Sequence, residues 1–402
     1  MPEETSVPGD REWIDREGLA LIGFARASVR DGGGFWWLDT EGRPDPTQPI
    51  YTWIACRMTF VFALASMRGD AGAAALVDHG LAALTGPLRD HTNDGWFSSI
   101  DPLDDTKAAY PHAFVVLAAS AATLAGRPGA AQLLDEALQV VTDHFWDEEA
   151  GRTRESWSAD WTVEEPYRGA NSSMHMVEAF LAAGDATGDK NWYERALRIA
   201  SHLIHEVAAS NDWRLPEHFT PGWEPLLEFN ADRPDDQFRP YGSTIGHWLE
   251  WSRLLLHIEA ALPEAPSWLL DDAISLFTAA INRGWAVDGA DGFVYTIGWD
   301  DTPVVRTRMH WVVAEAIGAA AVLRDRTGDP VYEEWYRTFW NYADGYLIDH
   351  VHGGWHHELD PNNRPAPSAW LGKPDVYHAY QATLIPQVPL TPSLARALLE
   401  QA

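Results

Sequence analysis

The sequence predicts an all-α fold of six helical hairpins closed into a two-layer barrel, with short β-hairpin loops on one face. Three observations carry that prediction. The first is a turn that recurs as Met67-Arg68-Gly69-Asp70, Ala125-Gly126-Arg127-Pro128, Thr187-Gly188-Asp189-Lys190 and Thr327-Gly328-Asp329-Pro330. Its glycines are 57, 62 and 140 residues apart, and 140 is twice 70, so a unit of about 60 to 70 residues repeats, with one copy degraded near Pro263. Each glycine ends one apolar helical run and precedes another, as a left-handed cap between two helices does. The second is an offset series of aromatic residues flanked by glycine or aspartate, which marks the longer connections as hairpin loops. The third is polarity placed on otherwise apolar helical stripes, always near the N-terminal end of the second helix of a pair.

Taken in order, the first hairpin pairs a helix over 10–28 with one over 50–68, across a loop holding Gly34-Phe35-Trp36-Trp37. In the second of these, Trp53, Arg57, Phe60 and Leu64 follow one another at spacings of 4, 3 and 4, which puts all four on one helical face. The next pair is 71–86 and 108–125, with Gly95-Trp96-Phe97 between them. The third is 129–145 and 170–187, joined through Phe145-Trp146-Asp147, and its inner stripe carries Asn171, His175 and Glu178. The fourth, 190–209 and 239–261 about Asp212-Trp213, places His247, Glu250, Trp251 and Leu254 together. The fifth is 265–284 and 308–326 around Gly292-Phe293. The last is 330–348 and 374–388 around Gly354-Trp355, with Tyr377, His378, Gln381, Leu384 and Ile385 on its stripe. An open solenoid has no reason to bury such polar groups in register. Six inner helices that converge their N-terminal ends on one pocket supply the reason, because those ends are partially positive and suit an oxygen-rich ligand.

Composition narrows the function. Residues 1–402 are expected to form a single domain, since the repeat runs through the whole length. Only Lys107, Lys190 and Lys373 are lysines, and 59 acidic against 29 basic residues give a formal charge of -30. Nucleic acid and anionic membrane surfaces are therefore excluded as partners. No 18-residue apolar run is free of charge and the N-terminus has no basic or apolar signal region, so the expected location is the cytoplasm. Cys56 is the sole cysteine, and beside Arg57 it reads as a small packing residue rather than a nucleophile. Nothing in the sequence sets the oligomeric state.

The strings TWIACRMTF (52–60), KAAYPHAFVVLAAS (107–120), YRGANSSMHMVEAFLAA (167–183), RPYGSTIGHWLEWSRLLL (239–256), RMHWVVAEAIGAA (308–320) and GKPDVYHAYQATL (372–384) resemble the N-acylglucosamine 2-epimerase superfamily. Within it they are most similar to the aldose-ketose isomerase branch, which acts on mannose and on sulfoquinovose. The resemblance implies an (α/α)6 barrel, a monosaccharide substrate, no cofactor and metal-independent histidine catalysis. It also implies roles. His378 would carry a proton between C2 and C1, and His247 would open the ring and move protons among the oxygens. Arg57, which cannot lose its proton, would hold the developing enediolate. Glu250, one turn after His247, would orient that imidazole or bind a hydroxyl. His175, Asn171 and Tyr110 would bind sugar hydroxyls, with Gln381 beside them on the last helix, and Trp53 and Trp311 would pack on the apolar face of a pyranose.

The alternatives are distinct. His175 with Glu178 and His247 with Glu250 repeat an i, i+3 spacing that also suits paired metal ligands, but Arg57 is a poor neighbour for a cation. His352, His356 and His357 read as surface or pocket-rim histidines. A glycoside hydrolase would need paired carboxyls, for which Asp235, Asp236 and Glu250 are the candidates, and it would leave the histidines unused. A non-catalytic carbohydrate-binding protein would not need a base and an electrophile placed together. A 2-epimerase is the serious rival. Met309-His310-Trp311, in place of paired tryptophans, and Asp375-Val376-Tyr377-His378 point to the isomerase. The expected substrate is mannose, with lyxose as its five-carbon analogue, ahead of sulfoquinovose, whose sulfonate needs a local cationic pocket.

Overall fold

The computed structural model describes residues 7–401. Six inner helices form a closed ring: α2 (Thr52–Met67), α4 (Ala109–Leu124), α6 (Ala170–Thr187), α8 (Ile245–Ala261), α10 (His310–Thr327) and α12 (Tyr377–Leu384). Each packs on the next, and α12 packs back on α2, so the ring closes as the buried polar stripes required. The outer layer is α1 (Arg11–Ala25), α3 (Ala73–Thr85), α5 (Ala130–Val140), α7 (Asn191–Ala200), α9 (Trp268–Gly284) and α11 (Pro330–Tyr342). Inner helices are buried all round; in α2 every residue from Thr52 to Ala65 is buried, because one side faces the outer layer and the other the barrel axis. The glycines of the recurrent turn, Gly69, Gly126, Gly188 and Gly328, all take positive φ, between 68° and 83°. A side chain there would be strained, which is why the turn repeats as glycine.

Several boundaries differ from the periodicity. The helix expected over 239–261 begins at Ile245, because Ser243 and Thr244 pair with Ile297 and Thr296 instead. The helices expected to run to 145, 209 and 348 widen to π-helical turns over 141–145, 201–208 and 343–347. A thirteenth helix, α13 (Leu394–Gln401), lay outside the expected twelve. It lies against α2, α4 and α6 and plugs the barrel end opposite the hairpin loops. There His257 Nδ1 meets the Thr391 carbonyl at 2.6 Å and Ser393 donates to Asp185 at 2.6 Å.

The hairpin loops form where aromatic residues mark them, as the bridges Val29 with Phe35, Arg89 with Trp96, Trp285 with Phe293 and Ile348 with Trp355, and as a ladder of Trp146–Asp147 on Arg152–Thr153. Asp212 and Trp213 make a turn of positive φ without pairing. A second set of ladders was not foreseen. The two residues before each of α2, α4, α6, α8 and α10 pair with the loop that follows the next outer helix, for example Ile50–Tyr51 with Ser99–Ile100. In the sixth position Lys373 N–H donates to the Leu38 carbonyl at 2.8 Å and joins the last unit to the first. Buried cations just ahead of inner helices pin aspartates of the preceding hairpins: Lys107 on Asp90 at 2.7 Å, Arg308 on Asp288 at 3.1 Å and Lys373 on Asp349 at 2.6 Å. These ties fix where each inner helix starts and so which side chains reach the axis.

Candidate active site

The N-terminal ends of the inner helices open into a cavity of about 640 Å³, mouth included. Tyr110, Trp311 and His378 are each the second residue of their helices, His247 is the third and Arg57 and His175 the sixth, so one barrel end gathers them all. Eight expected site residues line the cavity: Arg57, Tyr110, Asn171, His175, His247, Glu250, Trp311 and His378. Trp53 and Gln381 do not. Trp53 stands behind the wall, its ring 4.9 Å from the Arg57 guanidinium and edge-on to Trp370, because its position on α2 points it at the loops. Gln381, one turn below His378, is buried with both amide atoms unpartnered.

Two imidazoles are oriented in the same way. His378 Nδ1 lies 2.8 Å from Glu315 Oε1, and His247 Nδ1 lies 2.9 Å from Glu217 Oε2. A carboxylate only accepts, so each Nδ1 carries a proton, and Nε2 is the nitrogen left to the cavity. Glu217 is itself held by the Thr244 N–H at 3.1 Å. The Trp311 ring stands 5.3 Å from His247 and 5.7 Å from His378, tilted 38° to both. Burial pushes the His378 pKa below its ordinary value, with Glu315 acting against the shift. His378 is therefore neutral, as a base must be, at physiological pH.

Arg57 donates to Asp375 at 3.2 Å and to the Tyr110 hydroxyl at 3.0 Å. Its guanidinium lies within 5 Å of the Phe114, Tyr377 and Trp53 rings. Burial pushes His175 down to about 4, so it is a neutral hydrogen-bonding group. Burial, and after it the neighbouring Glu315, raise the Glu250 carboxyl well above its ordinary value. The expectation that Glu250 orients His247 is corrected here, since Glu217 does so. Glu250 Oε1 instead sits 3.8 Å from His175 Nδ1 and 3.8 Å from Arg253 Nη2. The Tyr377 hydroxyl donates to Glu178.

The four groups with metal-ligand spacing do not assemble as a set, because His247 is turned to Glu217. Two trios do bring atoms within 4.8 Å of one another, His175 with Glu178 and Glu250, and Glu250 with Glu315 and His378. Arg253 already gives the second a fixed positive charge, its Nε 2.9 Å from Glu315. Of the loop histidines, His352 and His356 face Asp349 at 3.3 and 4.0 Å, whereas His357 is buried in the cavity wall and stacks on His310 at 3.7 Å. Asp235 and Asp236 border a neighbouring groove, not the cavity, so they cannot pair with Glu250 across a glycosidic bond.

Sequence reasoning missed Glu217, Glu315, Phe238, Tyr295 and Trp370. Glu315 was legible, four residues after Trp311 on the same helical face. Glu217 and Trp370 lie in loops, where no period reveals them.

A closed (α/α)6 barrel that aims two carboxylate-held imidazoles and an arginine at one cavity defines an enzyme of sugar interconversion. The chain belongs to the N-acylglucosamine 2-epimerase (GlcNAc 2-epimerase) family, whose pattern it matches over residues 33–382. It is 61% identical to the D-mannose isomerase of Thermobifida fusca, over 98% of this chain and 98% of that one. It is 52% identical to the D-mannose isomerase of Pseudomonas cannabina pv. alisalensis, over 97% and 96% respectively. A crystal structure of D-mannose isomerase superposes with a TM-score of 0.87 at 27% identity, covering 100% of both chains.

Proposed function

We propose that this chain, acting as one catalytic barrel, interconverts D-mannose with D-fructose and D-lyxose with D-xylulose. The observation that carries the reading is the matched pair His378–Glu315 and His247–Glu217, which leaves two Nε2 lone pairs on one cavity that also holds Arg57. After ring opening assisted by His247, His378 Nε2 takes the C2 proton and the C1 carbonyl becomes an enediolate oxygen. Arg57 stabilises that charge with donors already in place, and Glu250 lines the cavity beside it. His247 moves the O2 proton to O1, and His378 returns its proton to C1, so the aldose leaves as a ketose with no net proton change. Asn171, Tyr110 and His175 hold the remaining hydroxyls, and Trp311 covers the apolar edge between the two bases. The chemistry needs neither cofactor nor metal.

Two observations support mannose over sulfoquinovose. The relatives above are D-mannose isomerases, and among the described residues Arg57 is the one arginine or lysine in the cavity wall, already committed to Asp375. Incubating the purified protein with mannose, lyxose, glucose and sulfoquinovose, with products identified by NMR, tests the reading. Fructose and xylulose are expected. Turnover of sulfoquinovose in preference to mannose would overturn it.

A 2-epimerase is the second reading, since the matched imidazole sites serve it as well. An epimerase needs a carbon base on each face of C2, and His247 is prepared for such work as fully as His378.

A further inference from the structure

Beneath the sugar cavity, Arg253 of α8 is buried, 2% exposed, and makes its closest contact with Glu315 of α10. Its Nε donates to Glu315 Oε2 at 2.9 Å, while the other oxygen, Oε1, takes the His378 Nδ1 proton at 2.8 Å. One carboxylate thus bridges an arginine and an imidazole, each on its own oxygen. Arg253 Nη2 stays 3.8 Å from Glu250 and has no hydrogen-bond partner. The arginine thus hydrogen-bonds one of three neighbouring carboxyls, Glu315, Glu178 and Glu250. A separate feature makes room for it. Gly318 stands one turn beyond Glu315 on α10, and a Cβ there would come within 3.1 Å of Arg253 Cδ. Glycine in mid-helix costs about 1 kcal/mol relative to alanine, and the close approach of the arginine stem and of Ile385 Cδ1, 3.0 Å from such a Cβ, accounts for its presence.

We propose that Arg253 is a positioning residue for the carbon base: it holds Glu315, and Glu315 holds His378 in the tautomer that proton abstraction needs. The inference rests on the reading of His378 as that base. A charged Glu315 only accepts, so His378 Nδ1 must donate and Nε2 is free to take the C2 proton. A protonated Glu315 is able to donate instead. His378 then places its own proton on Nε2, where it cannot act as a base. The groups around Glu315 that bear on this choice are Arg253, Glu250 and His257 of α8, Glu178 of α6 and His378 of α12. Arg253 is the fixed cation among them. With it in place Glu315 is held well below its ordinary value despite burial, while Glu250 is raised.

The test uses Arg253→Met and Arg253→Lys in the full chain, with two readouts. The first is the pH profile of kcat and KM for mannose. Arg253→Met is expected to lower kcat at least about tenfold with little change in KM, and to move the acidic limb upward by about one pH unit. Arg253→Lys is expected to restore most of kcat. The second readout, ¹⁵N NMR of the histidine side chains without substrate, is expected to show a bare His378 Nε2 in the wild type and a protonated fraction in Arg253→Met. A folded Arg253→Met protein with an unchanged pH profile and an unchanged His378 tautomer overturns the proposal. If that variant does not fold, Gly318→Ala, which pushes on the arginine stem, is read by the same two criteria. A wild type that converts no aldose, yet whose His378 tautomer still follows Arg253, removes the proposed function and leaves the Arg253–Glu315 linkage standing.

Discussion

His378 and Glu315 are 63 residues apart in the chain and 2.8 Å apart in space. The contact decides which ring nitrogen of His378 faces the cavity, and hence whether the imidazole is a base. Glu315→Gln keeps the shape but not the charge and is able to donate from its amide. It is expected to lower kcat by about 10²- to 10⁴-fold, the range a general base contributes, with KM little changed. Steady-state kinetics on mannose checks this; a kcat within twofold of wild type would show that the pairing does not matter.

The two histidines should separate by task. His378→Ala is expected to abolish exchange of the C2 proton with any substrate, whereas His247→Ala retains slow exchange on a sugar that is already open. Following C2 deuterium by NMR decides the assignment, and wild-type-like turnover in both variants would dismiss it.

Isomerase and epimerase differ in where the proton travels. Fructose is expected to form first from mannose, and label at C2 of mannose should reach C1 of fructose in part, diluted by solvent. In deuterated water, early glucose carrying deuterium at C2 would establish His247 as a second carbon base.

Activity is expected to survive exhaustive chelation, because Arg57 and Arg253 already supply the fixed positive charge at the site. Loss of turnover that one divalent ion specifically restores would reverse this.

The tie between Lys107 and Asp90 is expected to stabilise the barrel. Lys107→Met leaves the Asp90 carboxylate with its N–H donors but without its counter-ion and should cost about 1 to 3 kcal/mol in a denaturant melt. The sign with pH follows from Asp90. Despite the cost of burial, the Lys107 ammonium and the backbone N–H groups of Asn93 and Thr92 hold its carboxyl down at about 2, against an ordinary 3.8. Its contribution is therefore fully present above 3.8 and lost as pH falls through about 2. An acid melt in which wild type and Asp90→Asn differ equally at pH 7 and at pH 2 would refute the linkage.

The helices were legible because burial on a helix leaves a 3.6-residue period, and the recurrent glycine because a left-handed turn excludes other residues. Arg57, His175, His247 and His378 were legible for the same reason: each interrupts an apolar stripe near a helix start. Glu315 satisfies the same logic, four residues after Trp311, but nothing in the stripe says what a carboxylate will meet. Glu217, Phe238 and Trp370 were not available to it, because loop residues carry no period. Nor was α13, a short amphipathic stretch after Pro392 whose apolar side has meaning only once the barrel presents an open end to cover.

By itself, then, the sequence determined the repeat, the two-layer closure and the set of side chains that crowd one end of the barrel, all consequences of local geometry and of the cost of burying polarity without purpose. The tertiary structure alone decided the partners. That Glu217 rather than Glu250 holds His247 and that Arg253 shares Glu315 with His378 depend on contacts across 30 to 63 residues of chain, and that Trp53 packs on Trp370 depends on one across 317. Hydrogen bonds of about 3 Å are set by how the inner helices are rotated and shifted against one another, and no spacing within a single helix contains that information.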